Sequence, residues 1–190
     1  AKALKAAGAD YVWCGVGRAE SVVSIVQSGG LRSTNRRCLS GIRLTGASPS
    51  SDMGTGGADN VFTRIGTNAG RGKIRYDDSF CGSGYRLIID EAELGRMDWY
   101  AYTGDNFGTT RPSTLHGRQG SEEFVKGQNR SFKSGNEIMF RQGIPTESIQ
   151  KIRCSGDYER DKLLKAFRDA GITSVNGVSI EDFVEVGDYL

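Results

Sequence analysis

A short apolar run enclosed by glycine and proline constrains the fold of this 190-residue chain more than any other segment. The run Ile-Met-Phe at 138–140 follows a polar loop that contains glycine, and a Gly-Ile-Pro turn at 143–145 closes it. So few apolar residues between such breakers cannot make a helix and predict a β-strand. Glu137 opens this strand, and a second strand is predicted at 146–152.

Glycine is the outlier in the composition. The chain contains 27 glycines, whereas its 37% hydrophobic and 25% charged residues are ordinary for a globular protein. This frequency indicates many turns and close backbone approaches, which favours a loop-rich fold of the β or α+β class. The length suits one hydrophobic core, so we predict a single domain over residues 1–190. Because the sequence begins with Ala-Lys rather than Met, we expect a fragment that lacks an N-terminal targeting region.

Charge, cysteine and hydropathy patterns argue against several classes of function. The net charge of +2, with both signs interspersed, does not indicate a nucleic-acid partner, and we expect none. His116 is the only histidine and no two cysteines form a C-x-x-C pair, so no metal site is predicted. The four cysteines show no disulfide framework, which favours a reducing compartment. No apolar run approaches the roughly 20 residues that a membrane span needs, so no membrane partner is expected.

The spacing of apolar residues predicts the remaining elements. Strands are expected where short β-branched or aromatic runs lie between turn residues, and helices where apolar residues recur at helical spacing. Residues 95–120 show neither pattern and are predicted to form a mixed loop, although they contain Trp99, Tyr100 and Tyr102. The predicted strands are 11–16, 61–65 and 85–90, and the predicted helices are 1–9, 19–28, 155–170 and 180–184.

Three of these segments, in this order, resemble the elements that hold NAD in the ADP-ribosyltransferase superfamily. The first is Trp-Cys-Gly-Val at 13–16, followed by an amphipathic helix, a Gly-Leu pair and an arginine-rich loop at 32–37. The second is the segment at 56–64, which ends in a predicted strand, and the third is the segment that carries Glu137. The resemblance covers residues 11–152 and implies an α+β fold, an ADP-ribosyltransferase-like split β-sandwich with flanking helices.

The resemblance implies an NAD-dependent mono-ADP-ribosyltransferase that uses NAD as co-substrate and releases nicotinamide. Within the superfamily, the chain is most similar to the type III effector family that ADP-ribosylates ubiquitin on threonine. That closer resemblance implies a monomeric enzyme, secreted by a bacterium into the cytoplasm of a host cell, with a protein acceptor such as ubiquitin. Gly135 stands where arginine-modifying members carry a second glutamate, so a hydroxyl acceptor such as threonine is expected.

The resemblance also implies roles for individual residues. Glu137 would hydrogen-bond the ribose and stabilise the positive charge that builds as the glycosidic bond breaks, and Thr63 would hold its rotamer. The backbone of Gly15 would meet the carboxamide of nicotinamide, and Arg18 or an arginine of 32–37 would contact the diphosphate. The implied set has Glu137 and Thr63 as catalytic residues, Cys14, Gly15, Arg18, Leu31, Arg32 and Phe62 as cofactor-binding residues, and Gly135 and Asn136 as substrate-binding residues.

Three other functions stay open at this point. Cys14 stands where the superfamily carries histidine or arginine, and it could act with His116 in a hydrolase, although no motif flanks it. An NAD glycohydrolase on the same fold, with water as acceptor, would use the same residues as a transferase. A protein-binding module without catalysis would also suit a chain with many glycine-rich loops.

Overall fold

The structure, a computed structural model, describes residues 11–42, 57–66, 84–96, 98–102, 119–121 and 137–187. Within these ranges, helices pack on one side of a large sheet. The strands are β1 (Tyr11–Val16), β2 (Gly30–Leu31), β3 (Val61–Gly66), β4 (Tyr85–Ile89), β5 (Trp99–Tyr102), β6 (Gln119–Gly120), β7 (Glu137–Phe140), β8 (Ile144–Pro145), β9 (Ile149–Cys154), β10 (Ser174–Val175), β11 (Val178–Ser179) and β12 (Val184–Val186). The helices are α1 (Ala19–Gln27), α2 (Thr34–Leu39), α3 (Asp157–Asp169) and α4 (Ile180–Phe183), with 3₁₀ turns at Glu91–Arg96 and Thr146–Ser148.

Eight of the described strands form one mixed sheet. Their order is β12-β9-β4-β1-β3-β7-β5-β6. Neighbouring strands are antiparallel except at one edge, where β12 runs parallel to β9. Two small ladders stand apart from this sheet, β2 with β8 and β10 with β11. The sheet therefore brings β1 and β7, which are far apart in sequence, to the two sides of β3.

Strand β3 changes its partner halfway along its length. Its first half pairs with β7, and this register ends at Thr63↔Ile138. Its second half pairs with β1, and this register begins at Arg64↔Trp13. Beyond that point β1 continues to its last residue paired with β4. The sheet thus divides between β1 and β7, and β3 bridges the two halves.

One face of the sheet packs against α1 and α3 to form the hydrophobic core. Apolar side chains recur at helical spacing, so Val22 and Val23 of α1 and Leu163 and Phe167 of α3 are buried. Strand residues alternate between the two faces, so every second residue of a strand joins this core. The strand residues in the core include Val12, Val16, Tyr85, Leu87, Ile89, Trp99, Ala101, Ile138, Phe140, Ile152 and Cys154.

The structure confirms most of the predicted elements and corrects one region. β1, β3, β4, β7, α1, α3 and α4 lie where the sequence predicts them, and β9 begins slightly later, after the 3₁₀ turn at Thr146–Ser148. The loop predicted for 95–120 is wrong, because β5 and β6 lie within it and form an edge of the sheet. Trp99 and Ala101 alternate there into the core, but this run is too short to identify from sequence. The helix predicted at 1–9 lies outside the described residues.

Candidate functional site

Glu137 lies at the point where the sheet divides. It is the first residue of β7, and its side chain is buried. The β3–β7 register ends at Thr63↔Ile138, so Arg64 and Glu137 each lie one residue beyond the last pair of these strands. Arg64 pairs instead with Trp13 of β1. Glu137, Arg64 and Trp13 therefore stand around the point where the sheet divides.

These three residues lie on the face of the sheet opposite the hydrophobic core. The core receives Ile138 from β7 and Val12 from β1. Glu137 and Trp13 are their neighbours in sequence, so strand alternation directs both side chains to the other face. Gly15, two positions after Trp13, belongs to that face as well. We call this side of the sheet the Trp13 face.

Two guanidinium groups lie against the ring of Trp13. The Cζ atom of Arg86 is 4.3 Å from the centre of the ring, and that of Arg64 is 6.0 Å from it. All three side chains are buried, with exposed fractions of 1% for Trp13, 9% for Arg64 and 6% for Arg86. A guanidinium is attracted to the negative face of an indole, and the attraction strengthens when water is excluded. Two positive charges are thus held on the face of the sheet that carries Glu137.

Gly15 and Phe62 share the Trp13 face with Glu137. Gly15 is exposed and pairs with Arg86 of β4, and without a side chain its backbone is open to close approach. Phe62 pairs with Met139, two residues along β7 from Glu137. The structure therefore brings Gly15, Phe62 and Glu137 to one side of the sheet, around the line where it divides.

Thr63 lies behind this face and is bonded to the backbone that carries Glu137. Its Oγ1 donates a hydrogen bond of 2.8 Å to the carbonyl oxygen of Ile138, and the side chain is buried. Ile138 directly follows Glu137, so this bond fixes the start of β7. Because side chains alternate along a strand, those of Thr63 and Glu137 lie on opposite faces of the sheet. Thr63 is therefore suited to positioning the strand that carries Glu137.

Two other predicted cofactor-binding residues pack in the hydrophobic core. Cys14 packs against the hydrophobic core, because it alternates with Trp13 along β1. Leu31 is buried in the same core, and its backbone pairs with Ile144 in the β2–β8 ladder. The predicted substrate-binding residues Gly135 and Asn136 lie outside the described residues.

The two arginines predicted to meet the diphosphate lie around α1. Arg18 is exposed directly before α1, and its backbone carbonyl accepts hydrogen bonds from the first turn of that helix. The guanidinium of Arg32 donates to the hydroxyl of Ser40 at 3.2 Å and to the carbonyl oxygen of Ser28. Arg32 therefore links the C-terminal ends of α1 and α2.

Arg96 braces the far end of the strand that carries Glu137. Its Nη1 donates to the carbonyl oxygen of Gly143 at 2.9 Å and to Glu93 at 2.7 Å, and its Nη2 donates to Asp98 at 2.8 Å. Burial alone would lower the pKa of Arg96, but hydrogen bonds to Asp98 and Glu93 outweigh it and raise this pKa above its ordinary value. The turn after β7 is thus tied to the segment before β5, and β7 is held at both ends.

The groups that the structure brings together are one carboxylate, two guanidiniums and an indole. Within the described ranges there is no cluster of three or more side chains suited to bind a metal ion. None of the helices in those ranges is long and apolar enough to cross a membrane.

The sequence analysis missed Arg64 and Arg86. Each is a single charge within an apolar strand, and arginines are almost never fully buried unless they are paired. That pattern was a usable signal for a special site. What the sequence could not supply was the strand register, which sets Arg64 opposite Trp13 and places both arginines over its ring.

The fold is ADP-ribosyltransferase-like, as comparison with solved structures shows; no protein-family model and no curated protein matches the sequence. Thermus sp. 2.9 DarT in complex with NAD+ matches with a TM-score of 0.60 at 9% identity, over 94% of this chain and 96% of that one. Thermus sp. 2.9 DarT in complex with ADP-ribosylated ssDNA matches with a TM-score of 0.58 at 10% identity, over 94% and 95%. Thermosipho africanus DarTG in complex with ADP-ribose matches with a TM-score of 0.55 at 13% identity, over 94% of this chain and 50% of that one.

These comparisons confirm the predicted α+β fold and correct the predicted partner. The expectation of a protein acceptor such as ubiquitin, with no nucleic acid, is wrong, because a structure with this fold holds ADP-ribosylated ssDNA. The error has a physical source: a net charge of +2 averages over the chain and hides a local concentration of arginine. On the Trp13 face, Arg153 and Arg141 also lie against aromatic rings, those of Tyr11 and Tyr100.

Proposed function

We propose that this protein is an NAD-dependent ADP-ribosyltransferase whose acceptor is single-stranded DNA. The observation that carries the proposal is the buried carboxylate of Glu137 at the division of the sheet, on the same face as Trp13 and Gly15. The likeness in fold to a DarT solved in complex with NAD+, over 94% of this chain, supports NAD as the co-substrate.

The proposed chemistry needs one carboxylate at the ribose. The bond between the ribose C1′ and the nicotinamide nitrogen breaks, and neutral nicotinamide leaves with the electron pair. Positive charge builds on the ribose, and the carboxylate of Glu137 stabilises it electrostatically in a site with little water. A nucleophilic atom of the acceptor then bonds to C1′ and releases its proton to solvent. The turn braced by Arg96 and the hydrogen bond from Thr63 keep the carboxylate in place.

The proposed acceptor rests on two observations. The matching structure of DarT contains ADP-ribosylated ssDNA. In addition, the Trp13 face of this chain combines arginines with aromatic rings, of which Tyr11 and Tyr100 are only half-buried. Single-stranded nucleic acids bind where positive side chains follow the phosphates and aromatic rings stack with bases. Duplex DNA keeps its bases stacked inside and is expected to be a poor acceptor.

The test combines NAD with a single-stranded oligodeoxynucleotide that contains all four bases. We expect released nicotinamide and a gain of one ADP-ribose in the intact mass of the oligonucleotide, and little of either with the matching duplex. Glu137→Gln keeps the shape but removes the charge, and it should slow the reaction at least about 100-fold, the scale of losing one such group. Glu147→Gln, at an exposed glutamate just beyond β8, is the matched control and should react normally.

Two results would contradict the proposal. Nicotinamide release without any adduct on DNA would indicate an NAD glycohydrolase and show that DNA is not the acceptor. Full activity of Glu137→Gln would show that the carboxylate is not needed for the reaction, whatever the acceptor.

A further inference from the structure

An apolar row crosses the Trp13 face close to Glu137, and the chemistry proposed at the ribose does not use its outer end. Met139 of β7 pairs with Phe62 of β3 on one side and with Tyr100 of β5 on the other. The residues before and after Tyr100 belong to the hydrophobic core, so alternation directs Tyr100 to the Trp13 face. Phe62 and Tyr100 are only half-buried, so both ends of this row are partly open to solvent.

Arg141 lies over the Tyr100 end of the row. It is the first residue after β7, it is exposed, and its Cζ atom is 5.6 Å from the centre of the Tyr100 ring. A guanidinium is planar, so one side can rest on a phenol ring while the other side stacks on a ligand ring. Arg36, which is also exposed, donates to the carbonyl oxygen of Gln142 at 3.4 Å. Two positive charges and an aromatic ring therefore meet at the end of β7.

The spacing between this cluster and Glu137 suits a more distant nucleotide of the acceptor strand. Arg141 follows Glu137 by four residues along β7, which is roughly 13 Å at about 3.3 Å per residue. Stacked bases of one DNA strand are about 3.4 Å apart, so the same distance covers about four stacked nucleotides, or fewer where the strand is extended. A strand whose reacting base lies at Glu137 can therefore reach Arg141 without bending back.

We propose that Arg141, resting on Tyr100, stacks on a base of the single-stranded DNA about two to four nucleotides from the modified one, an inference that rests on the proposed function. Bases of single strands stack on aromatic rings and on the planes of arginine side chains, while positive charges follow the phosphates. The charges of Arg141 and Arg36 attract the phosphates beside the stacked base. Because a duplex hides the faces of its bases, this contact also selects for a single strand.

The test measures how tightly the protein holds a labelled single-stranded oligonucleotide of roughly ten nucleotides, within the size range of known single-strand sites. Fluorescence anisotropy at several salt concentrations gives the affinity, and adduct formation with NAD gives KM and kcat. Arg141→Gln should weaken binding and raise KM roughly 10-fold, the scale of losing one stacked base, and should change kcat little. The slope of log affinity against log salt should fall by about 0.7, the value of one phosphate contact on a single strand.

Four further variants separate stacking from charge and from loss of fold. Tyr100→Leu removes the ring but no charge, so it should weaken binding and leave the salt slope unchanged, whereas Tyr100→Phe keeps the ring and should bind normally. Arg141→Lys keeps the charge without the plane, so it should retain the salt slope and lose part of the affinity at an unchanged melting temperature. Arg168→Gln is the matched control, because Arg168 is an exposed arginine of α3, which packs on the opposite face of the sheet. It should bind the oligonucleotide as the unmodified protein does.

Three results would overturn the inference while leaving DNA as the acceptor. One is unchanged affinity and KM in both Arg141→Gln and Tyr100→Leu, and another is an effect of Arg141→Gln on kcat alone. The third is full affinity in Arg141→Lys, because charge without stacking would then suffice. Absence of any adduct with the unmodified protein would instead overturn the proposed function, so the two failures are distinct.

Discussion

At the scale of single residues, burying the carboxylate of Glu137 costs free energy, and neighbouring groups offset part of that cost. A buried carboxylate loses its hydration and needs compensating positive charge or hydrogen bonds. The guanidiniums of Arg64 and Arg86 lie on the same face of the sheet, over Trp13, and the hydroxyl of Thr63 donates to the adjoining carbonyl oxygen of Ile138 at 2.8 Å. The carboxylate is therefore placed by residues that belong to a different strand.

Thr63→Val is predicted to loosen the start of β7. Valine keeps the branched shape and removes the hydroxyl, so the carbonyl of Ile138 loses this side-chain donor. The free energy of unfolding should fall by about 1 kcal/mol, the typical net contribution of one hydrogen bond. Urea denaturation measures this loss. Thr63→Ser retains the donor, and its free energy of unfolding should be closer to that of the unmodified protein. If the valine variant is as stable as the unmodified protein, the hydrogen bond does not contribute to stability.

The place of Glu137 could be predicted from sequence, but its neighbours could not. A polar loop followed by a short apolar run fixes the first residue of a strand locally, and β7 begins at Glu137. The side chains around it come from β1, β3 and β4, whose registers depend on pairing across the whole sheet. The contact of Arg64 and Arg86 with Trp13, and the inward direction of Cys14, were therefore beyond local reasoning.

At the scale of elements, two glycines let the β2–β8 ladder close against the turn after β7. A side chain on Gly30 would place its Cβ 2.2 Å from the carbonyl oxygen of Ile144, and one on Gly143 would lie 2.5 Å from that of Leu31. Both glycines also adopt positive φ, at +134° and +79°. The ladder links the end of α1 to the strand that carries Glu137.

Gly143→Ala should be markedly more destabilising than Gly29→Ala. Both positions have positive φ, which costs an L-residue about 1–2 kcal/mol, but a side chain at Gly29 meets open space. At Gly143 the backbone clash with Leu31 adds to that strain, so we expect a loss of at least about 3 kcal/mol. Thermal unfolding of the two variants measures the difference. Similar melting temperatures would mean that the β2–β8 ladder can shift to accept a side chain at position 143 without losing stability.

The edge pair of β9 and β12 is predicted to depend on pH through Glu185. Its carboxylate accepts from Lys151 at 2.8 Å and from Arg153 at 2.9 Å. Burial pushes the pKa of Glu185 upward, but the hydrogen bonds and charges of these two residues outweigh burial and hold it below its ordinary value. A lowered folded pKa gives stability that is present above the unfolded pKa and lost as pH falls through the folded one.

Glu185→Gln should therefore cost stability at neutral pH and little in acid. We expect a loss of up to about 1 kcal/mol at pH 7, since the pair is partly exposed to solvent. The difference should shrink below about pH 4, near the ordinary glutamate pKa, and vanish in stronger acid. Urea denaturation at several pH values measures it. A difference that persists unchanged to pH 3 would contradict this account.

Long periodic elements were predictable, as was β7 between its glycine and proline breakers, but other short paired strands were not. α3 shows its apolar stripe over three turns, and β4 is a continuous apolar strand, so both were found. β5, β6 and β12 have two to four residues each, and they are strands only because a neighbour supplies their hydrogen bonds. Such elements are fixed by the sheet and carry little signal of their own.

At the scale of the whole molecule, β3 is the strand that joins the two halves of the sheet. One half of the sheet, β12-β9-β4-β1, is packed against α1 and α3, and the other half, β7-β5-β6, is joined to it through β3. The proposed catalytic carboxylate of Glu137 and the exposed backbone of Gly15 stand on opposite sides of the line where β1 and β7 separate. A ligand that spans this line would contact both halves and couple them.

Native-state hydrogen exchange should reveal the two halves as separate units of stability. β4 is paired along its length with β1 and β9, so its amides should exchange only through global unfolding. β5 is paired with β7 and the two-residue β6, and we expect its amides to open at a cost about 1–2 kcal/mol lower. Thr63→Val should speed exchange in β7 and leave β4 unchanged, because it removes a bond across β3 and β7 alone. Equal opening free energies in β4 and β5 would show that the sheet unfolds as a single unit and that its two halves do not differ in stability.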